Sequence, residues 1–167
     1  QDVVMVILDS GIPLNLQGVL SHPDLNDANK MILGPDVIYP VVHGQEGWDE
    51  TDSRPCDEFS HGTAVAGLAG AEVDNSAGIA WVAWNCKLMP VQVMGKASDG
   101  KLKANAAAFQ AGVHYAVDYA RNNPTKRVII NVSIGFLGPN PYVEEAISYA
   151  NTYNIIVVAA AGNLDVL

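Results

Sequence analysis

The chain has 167 residues, with 18 acidic against 9 basic side chains and a formal charge of −9. Charged residues make up only 16% and hydrophobic ones 49%, which favours a large buried core over disorder and leaves no apolar run near the roughly 18–20 residues that span a bilayer. The acidic balance argues against nucleic acid or an anionic membrane as main partner, since either would repel a surface of this sign.

Residues 3–8 form a short, continuously apolar run, the pattern of a strand covered on both faces of a parallel sheet. The stretch 20–60 is different: Pro23, Pro35, Pro40 and Pro55 interrupt it, and its apolar runs at 31–33 and 37–39 are long enough for minor strands only. After His61 nearly every residue up to Ala71 is small, as a helix packed closely against a sheet requires. A second buried strand is predicted over 88–93. Phe109, Val113, Ala116, Val117 and Ala120 then make one apolar stripe on a helix ending near Asn122, Asn123 and Pro124.

A third strand is predicted over 128–132. Asn140 as N-cap, Pro141 in the first turn, and Glu144 and Glu145 near the positive end of the dipole open another helix. A fourth strand covers 155–160. Strands alternating with helices in this way predict an α/β fold, a doubly wound parallel sheet flanked by helices. In such sheets the chemistry collects at the carboxyl ends of the strands.

Three residues stand at such places. Asp9 directly follows the first strand, where a carboxylate is poorly solvated unless it finds a cation or a histidine. His61 begins the small-residue helix, so its ring can be aimed, and a histidine oriented by a buried carboxylate is the usual general base. Asn163 follows the fourth strand and carries N–H donors suited to a developing oxyanion. Asp49, Glu50, Asp52, Asp57 and Glu58 precede His61 and read as a solvated acidic loop. Cys56 and Cys86 leave two readings open, one disulfide or two separate buried thiols.

Five motifs in order carry a resemblance: Asp9–Ser10–Gly11, His22–Pro23–Asp24–Leu25, His61–Gly62–Thr63–Ala64–Val65–Ala66–Gly67, Asn131–Val132–Ser133–Ile134–Gly135 and Ala159–Ala160–Ala161–Gly162–Asn163. Together they resemble the subtilisin-like serine proteases, the subtilases, over essentially the whole chain. The resemblance implies a serine endopeptidase in which Asp9 orients His61, His61 moves the proton and Asn163 donates to the oxyanion. It implies that Ser133, Ile134 and Gly135 pair with a polypeptide substrate bound as an extended strand, with Gly100 on the opposite wall. It also implies a structural Ca²⁺ at Asp24 and Asn75, although no cofactor is required for the chemistry itself.

The Gly–Thr–Ser elbow that would carry the nucleophile is absent from the 167 residues. The chain therefore reads as an incomplete subtilisin-like catalytic domain, inactive alone and completed by a C-terminal segment or chain. The alternative is a catalytically incompetent subtilase-like module used for binding or assembly. A sheet cut after its fourth strand would leave an apolar edge in need of a partner. Family and acidic charge together point to a secreted or extracellular protein without nucleic-acid partners or a membrane span.

Overall fold

A computed structural model describes residues 2–15, 17–49, 53–79, 82–83 and 85–163. In chain order the elements are β1 (Val3–Asp9), α1 (Tyr39–Val42), α2 (His61–Gly70), β2 (Cys86–Gln92), β3 (Met94–Lys96), β4 (Leu102–Ala104), α3 (Ala106–Asn122), β5 (Arg127–Val132), α4 (Pro141–Thr152) and β6 (Ile156–Ala159). The main sheet is four-stranded in the order β2-β1-β5-β6, and every neighbouring pair is parallel. This is the α/β architecture expected from the alternating pattern.

The continuous apolar run of β1 is explained by its central place, because both faces are covered. Val4, Val6 and Leu8 enter the larger core with Phe109 and Val113 of α3 and Ala146 and Ala150 of α4. Ile7 points the other way, into a smaller core with Leu25, Ala66 of α2 and Leu88 of β2. Each of these four β1 side chains is 1% exposed or less, and full burial of such a side chain is worth about 1.5–3 kcal/mol. The strand that delivers Asp9 is thereby fixed from both sides.

The chain leaves β1 to pair β2 on one flank and returns with β5 on the other. Asp9 therefore stands at the carboxyl end of the strand where the order reverses, the place where open α/β sheets bind ligands. The helix boundaries follow local chemistry. Asn105 caps α3 by accepting from the N–H groups of Ala107 and Ala108 at 2.9 and 3.1 Å. Asn140 caps α4 by accepting from Tyr142 N at 3.0 Å, with proline in the first turn.

Some features depart from the sequence reading. Strands β3 and β4 pair as an antiparallel hairpin between β2 and α3, too short to leave a period in the sequence. The proline-rich stretch lies along the outer edge of β2. Ile32 N donates to Leu88 O at 2.8 Å, and Val37 N to Gln92 O at 3.0 Å. That edge is thus covered. The opposite edge strand, β6, leaves Ile156 60% and Val158 51% exposed.

Candidate active site

Asp9 is 1% exposed, and one of its oxygens, Oδ1, is engaged twice. Ser10 N donates to it at 2.8 Å, and the His61 ring nitrogen Nδ1 lies 2.6 Å away. An ionised carboxylate only accepts, so this contact assigns the proton to Nδ1 and leaves Nε2 as the ring's free acceptor. The His61 side chain is 45% exposed, so Nε2 is reachable from solvent while the carboxylate behind it is not. Asp9 Oδ2 is buried with no hydrogen-bond partner among the described residues. The imidazolium that forms when His61 takes a proton would sit directly against this buried carboxylate.

Sequence separates these two residues by more than fifty positions, and a close backbone approach joins them. A Cβ at Gly62 would stand 2.5 Å from Gly11 O and 3.2 Å from Asp9 Cβ. Only glycine lets the first turn of α2 lie this near the end of β1. The entry to α2 is unusual in a second way. Its N-cap residue, Ser60, has φ 63° in the left-handed region and makes no side-chain cap bond, a conformation that costs a non-glycine residue about 1–3 kcal/mol.

Asp57 does the capping instead. Its Oδ2 accepts from Thr63 N at 2.8 Å and from the Thr63 hydroxyl at 2.5 Å, and its Oδ1 from Phe59 N at 3.1 Å and Ser10 Oγ at 2.8 Å. This corrects the reading of Asp57 as one of a set of solvated acids. The signal was there in part, since an aspartate just ahead of a helix start is a capping residue. Of its former companions, Asp49 pairs with Lys96 at 3.2 Å, whereas Glu50 and Asp52 lie outside the described residues.

Ser133, Ile134 and Gly135 continue β5 beyond its carboxyl end and, with Ala160, Gly162 and Asn163 beyond β6, line a cavity of about 720 Å³. Asp9 ends β1, Ser133, Ile134 and Gly135 follow β5, and Asn163 follows β6, all at the carboxyl end of the parallel sheet. Gly100 sits apart, in the turn of the β3–β4 hairpin at φ 75°, and is not among the residues lining that cavity. Ser10 is not placed as a nucleophile, since its hydroxyl donates to Asp57 and accepts from Gly62 N at 2.9 Å. Among the described residues no serine hydroxyl hydrogen-bonds to His61.

The Asp24 and Asn75 pair is brought together as a hydrogen-bonded clasp. Asn75 turns its amide nitrogen to Asp24 Oδ1 at 2.9 Å, and Ile79 N donates to Asp24 Oδ2 at 3.0 Å. The Asn75 oxygen is occupied by Ala77 N at 3.0 Å. A Ca²⁺ ion needs several convergent oxygens, and among the described residues no cluster of three or more His, Cys, Asp or Glu side chains occurs. In this arrangement the Asn75 amide nitrogen, not its oxygen, faces Asp24. The Asn75 amide, opposed by burial and helped by the Ile79 N–H, holds the Asp24 carboxyl below the usual aspartate range. Cys56 and Cys86 are unbridged; burial pushes the Cys86 thiol up, so two separate thiols is the reading that the structure supports.

The profile of the subtilase family matches residues 1–166. The chain belongs to the subtilase family. This subtilase is 32% identical to thermitase from Thermoactinomyces vulgaris over 159 residues, covering 95% of this chain and 47% of thermitase. It is 30% identical to an extracellular basic protease from Dichelobacter nodosus, covering 98% of this chain and 29% of that protein. Its fold superimposes on the S41 psychrophilic protease with a TM-score of 0.73 at 30% identity, covering 96% of this chain and 46% of that structure. The chain therefore spans about a third to a half of the length of the curated relatives it matches. Among the described residues no helix is long and apolar enough to cross a membrane.

Proposed function

We propose that these residues form the Asp–His and oxyanion part of a secreted serine endopeptidase, with the nucleophilic serine supplied by sequence outside the 167. The observation that carries this is the 2.6 Å contact between His61 Nδ1 and a buried carboxylate at the switch point of the sheet. His61 Nε2 takes the serine proton and returns it to the leaving amine; Asp9 holds the tautomer and stabilises the imidazolium. The Asn163 amide donates to the oxyanion. The substrate backbone adds as a strand along Ser133, Ile134 and Gly135, so that main-chain hydrogen bonds supply affinity.

Among the described residues no strand pairs with the outer side of β6, and Ile156 and Val158 are exposed there; this supports completion by a further segment of the same fold, because an unpaired apolar edge in a finished domain invites aggregation. The same edge is what an assembly module without peptidase activity would use, and kinetics separates the two readings. In the full natural polypeptide, His61→Ala is expected to lower turnover of a peptide substrate about 10⁶-fold, the scale known for this triad in subtilisin itself. Asn163→Ala is expected to lower it about 100- to 1000-fold with KM little changed, again the scale of a subtilisin asparagine. Activity that survives both substitutions would exclude the proposed roles.

A further inference from the structure

We propose that Asp57 is a positioning residue that holds the His61 ring against Asp9, acting through Ser10 and Thr63. The proposal rests on the reading of Asp9 and His61 as the orienting carboxylate and base of a peptidase. The contact between those two is only as good as the alignment of two unrelated elements, the turn after β1 and the first turn of α2. Asp57 touches both. One of its oxygens holds Ser10, the residue directly after Asp9; the other holds Thr63, two residues after His61. Ser10 Oγ then passes the link on, accepting from Gly62 N at 2.9 Å. The N–H groups of Gly62 and Thr63, which flank His61 on its C-terminal side and have no partner within the helix, are both satisfied through this one carboxylate.

The segment that carries Asp57 is itself tied to the turn after β1. Ile12 N donates to Pro55 O at 2.9 Å, and Asp57 N donates to Ile12 O at 2.9 Å. Asp57 is therefore pinned at its backbone to the sheet side and reaches with its side chain to the helix side. The need for such a brace comes from Ser60, whose left-handed backbone removes the ordinary N-cap. Without Asp57 the first turn of α2 would begin with a strained residue, an orphan donor at Thr63 N and a Ser10 hydroxyl no longer held in place for Gly62 N, and the His61 ring is mounted on that turn.

An Asp57→Asn side chain turns an NH₂ donor toward either Ser10 and Phe59 or Thr63, so one arm of the brace is lost while size is kept. In the full natural polypeptide, Asp57→Asn and Ser10→Ala are each expected to lower kcat about 10- to 100-fold, the scale of a displacement near 1 Å. KM is expected to stay within twofold, and the double variant to fall within about threefold of the worse single one, since both break one brace. Ser10→Ala keeps every charge, so matching losses separate positioning from the field of the Asp57 carboxylate. Should Asp57→Asn fail to fold, Ser10→Ala and Thr63→Val carry the same comparison.

A second readout is independent of turnover: the downfield proton of the Nδ1–H to Asp9 hydrogen bond in the NMR spectrum. It is expected to be sharp in the parent and broadened or shifted upfield in the variants. If the parent hydrolyses no peptide, the peptidase reading fails while this signal still decides the brace. Folded variants with kcat within twofold of the parent, multiplying losses in the double variant, or an unchanged downfield proton would each overturn the proposal.

Discussion

Replacing Gly62 by alanine adds one methyl group at the tightest approach between β1 and α2. The new Cβ would lie 2.5 Å from Gly11 O, 3.1 Å from Gly11 N and 3.2 Å from Asp9 Cβ. Non-bonded carbon contacts settle at about 3.5–4.0 Å, so the helix start must withdraw by about 1 Å. The two nearest neighbours are backbone atoms and the third is a Cβ fixed by its own backbone, so none can rotate away. A withdrawal of that size takes the 2.6 Å contact of His61 with Asp9 to about 3.5 Å, past the range of a useful hydrogen bond. It also stretches the bond from Gly62 N to Ser10 Oγ.

Two quantities should change together. Overpacking of this kind costs about 1–3 kcal/mol of stability, readable as a shift in urea midpoint at constant slope. Misplacement of the base by about 1 Å costs about 100-fold in kcat. The backbone at Gly62 needs no left-handed φ, so the loss is steric and not conformational. Equilibrium urea unfolding and steady-state kinetics on Gly62→Ala test this directly. A variant with the parent's urea midpoint and kcat within twofold would refute the claim that the backbone approach sets the His61–Asp9 distance.

Asp24 gives a second prediction. Its carboxyl is held below the ordinary aspartate value by Asn75 and Ile79, so its contribution is fully present above about pH 4 and disappears as pH falls through the lowered folded-state value. Asp24→Asn should therefore destabilise at pH 7, by about 1.5–3 kcal/mol for a lost charge-assisted bond, and the difference from the parent should shrink below pH 4 in acid-unfolding curves. Because the Asp24 carboxylate is already occupied by N–H donors, a chelator is expected to leave the melting temperature unchanged to within a degree. At the β6 edge, Val158→Lys on the 167-residue chain is expected to reduce self-association measured by light scattering, since a charge on an exposed edge strand opposes pairing.

Much of this site was legible in the sequence because its polar residues sit where apolar runs stop. Asp9 ends β1, Asn163 follows β6, and His61 begins a helix of small residues. The same logic gave the helix caps at Asn140 and Pro141, which the structure places as expected. What the sequence left unread is non-local. Asp57 meets Ser10 across 47 positions, and its place ahead of α2 signals the cap on the helix but not the contact with the turn after β1. The cover over the β2 edge comes from isolated bridges at Met31 and Asp36, too short to leave a period. The Asp24 and Asn75 pair shows the reverse case. The residue types suit a cation, but the direction of the Asn75 amide makes them a hydrogen-bonded clasp.

In the proposed function Asp9 and His61 serve a serine that lies beyond these residues. A fluorophosphonate labels only an activated serine, so mapping the label on the full natural polypeptide shows which serine His61 activates, with His61→Ala as the control. The expected result is one labelled serine outside residues 1–167, with labelling abolished in the variant. Label on Ser10 or any other serine of this chain, or equal labelling without His61, would contradict it.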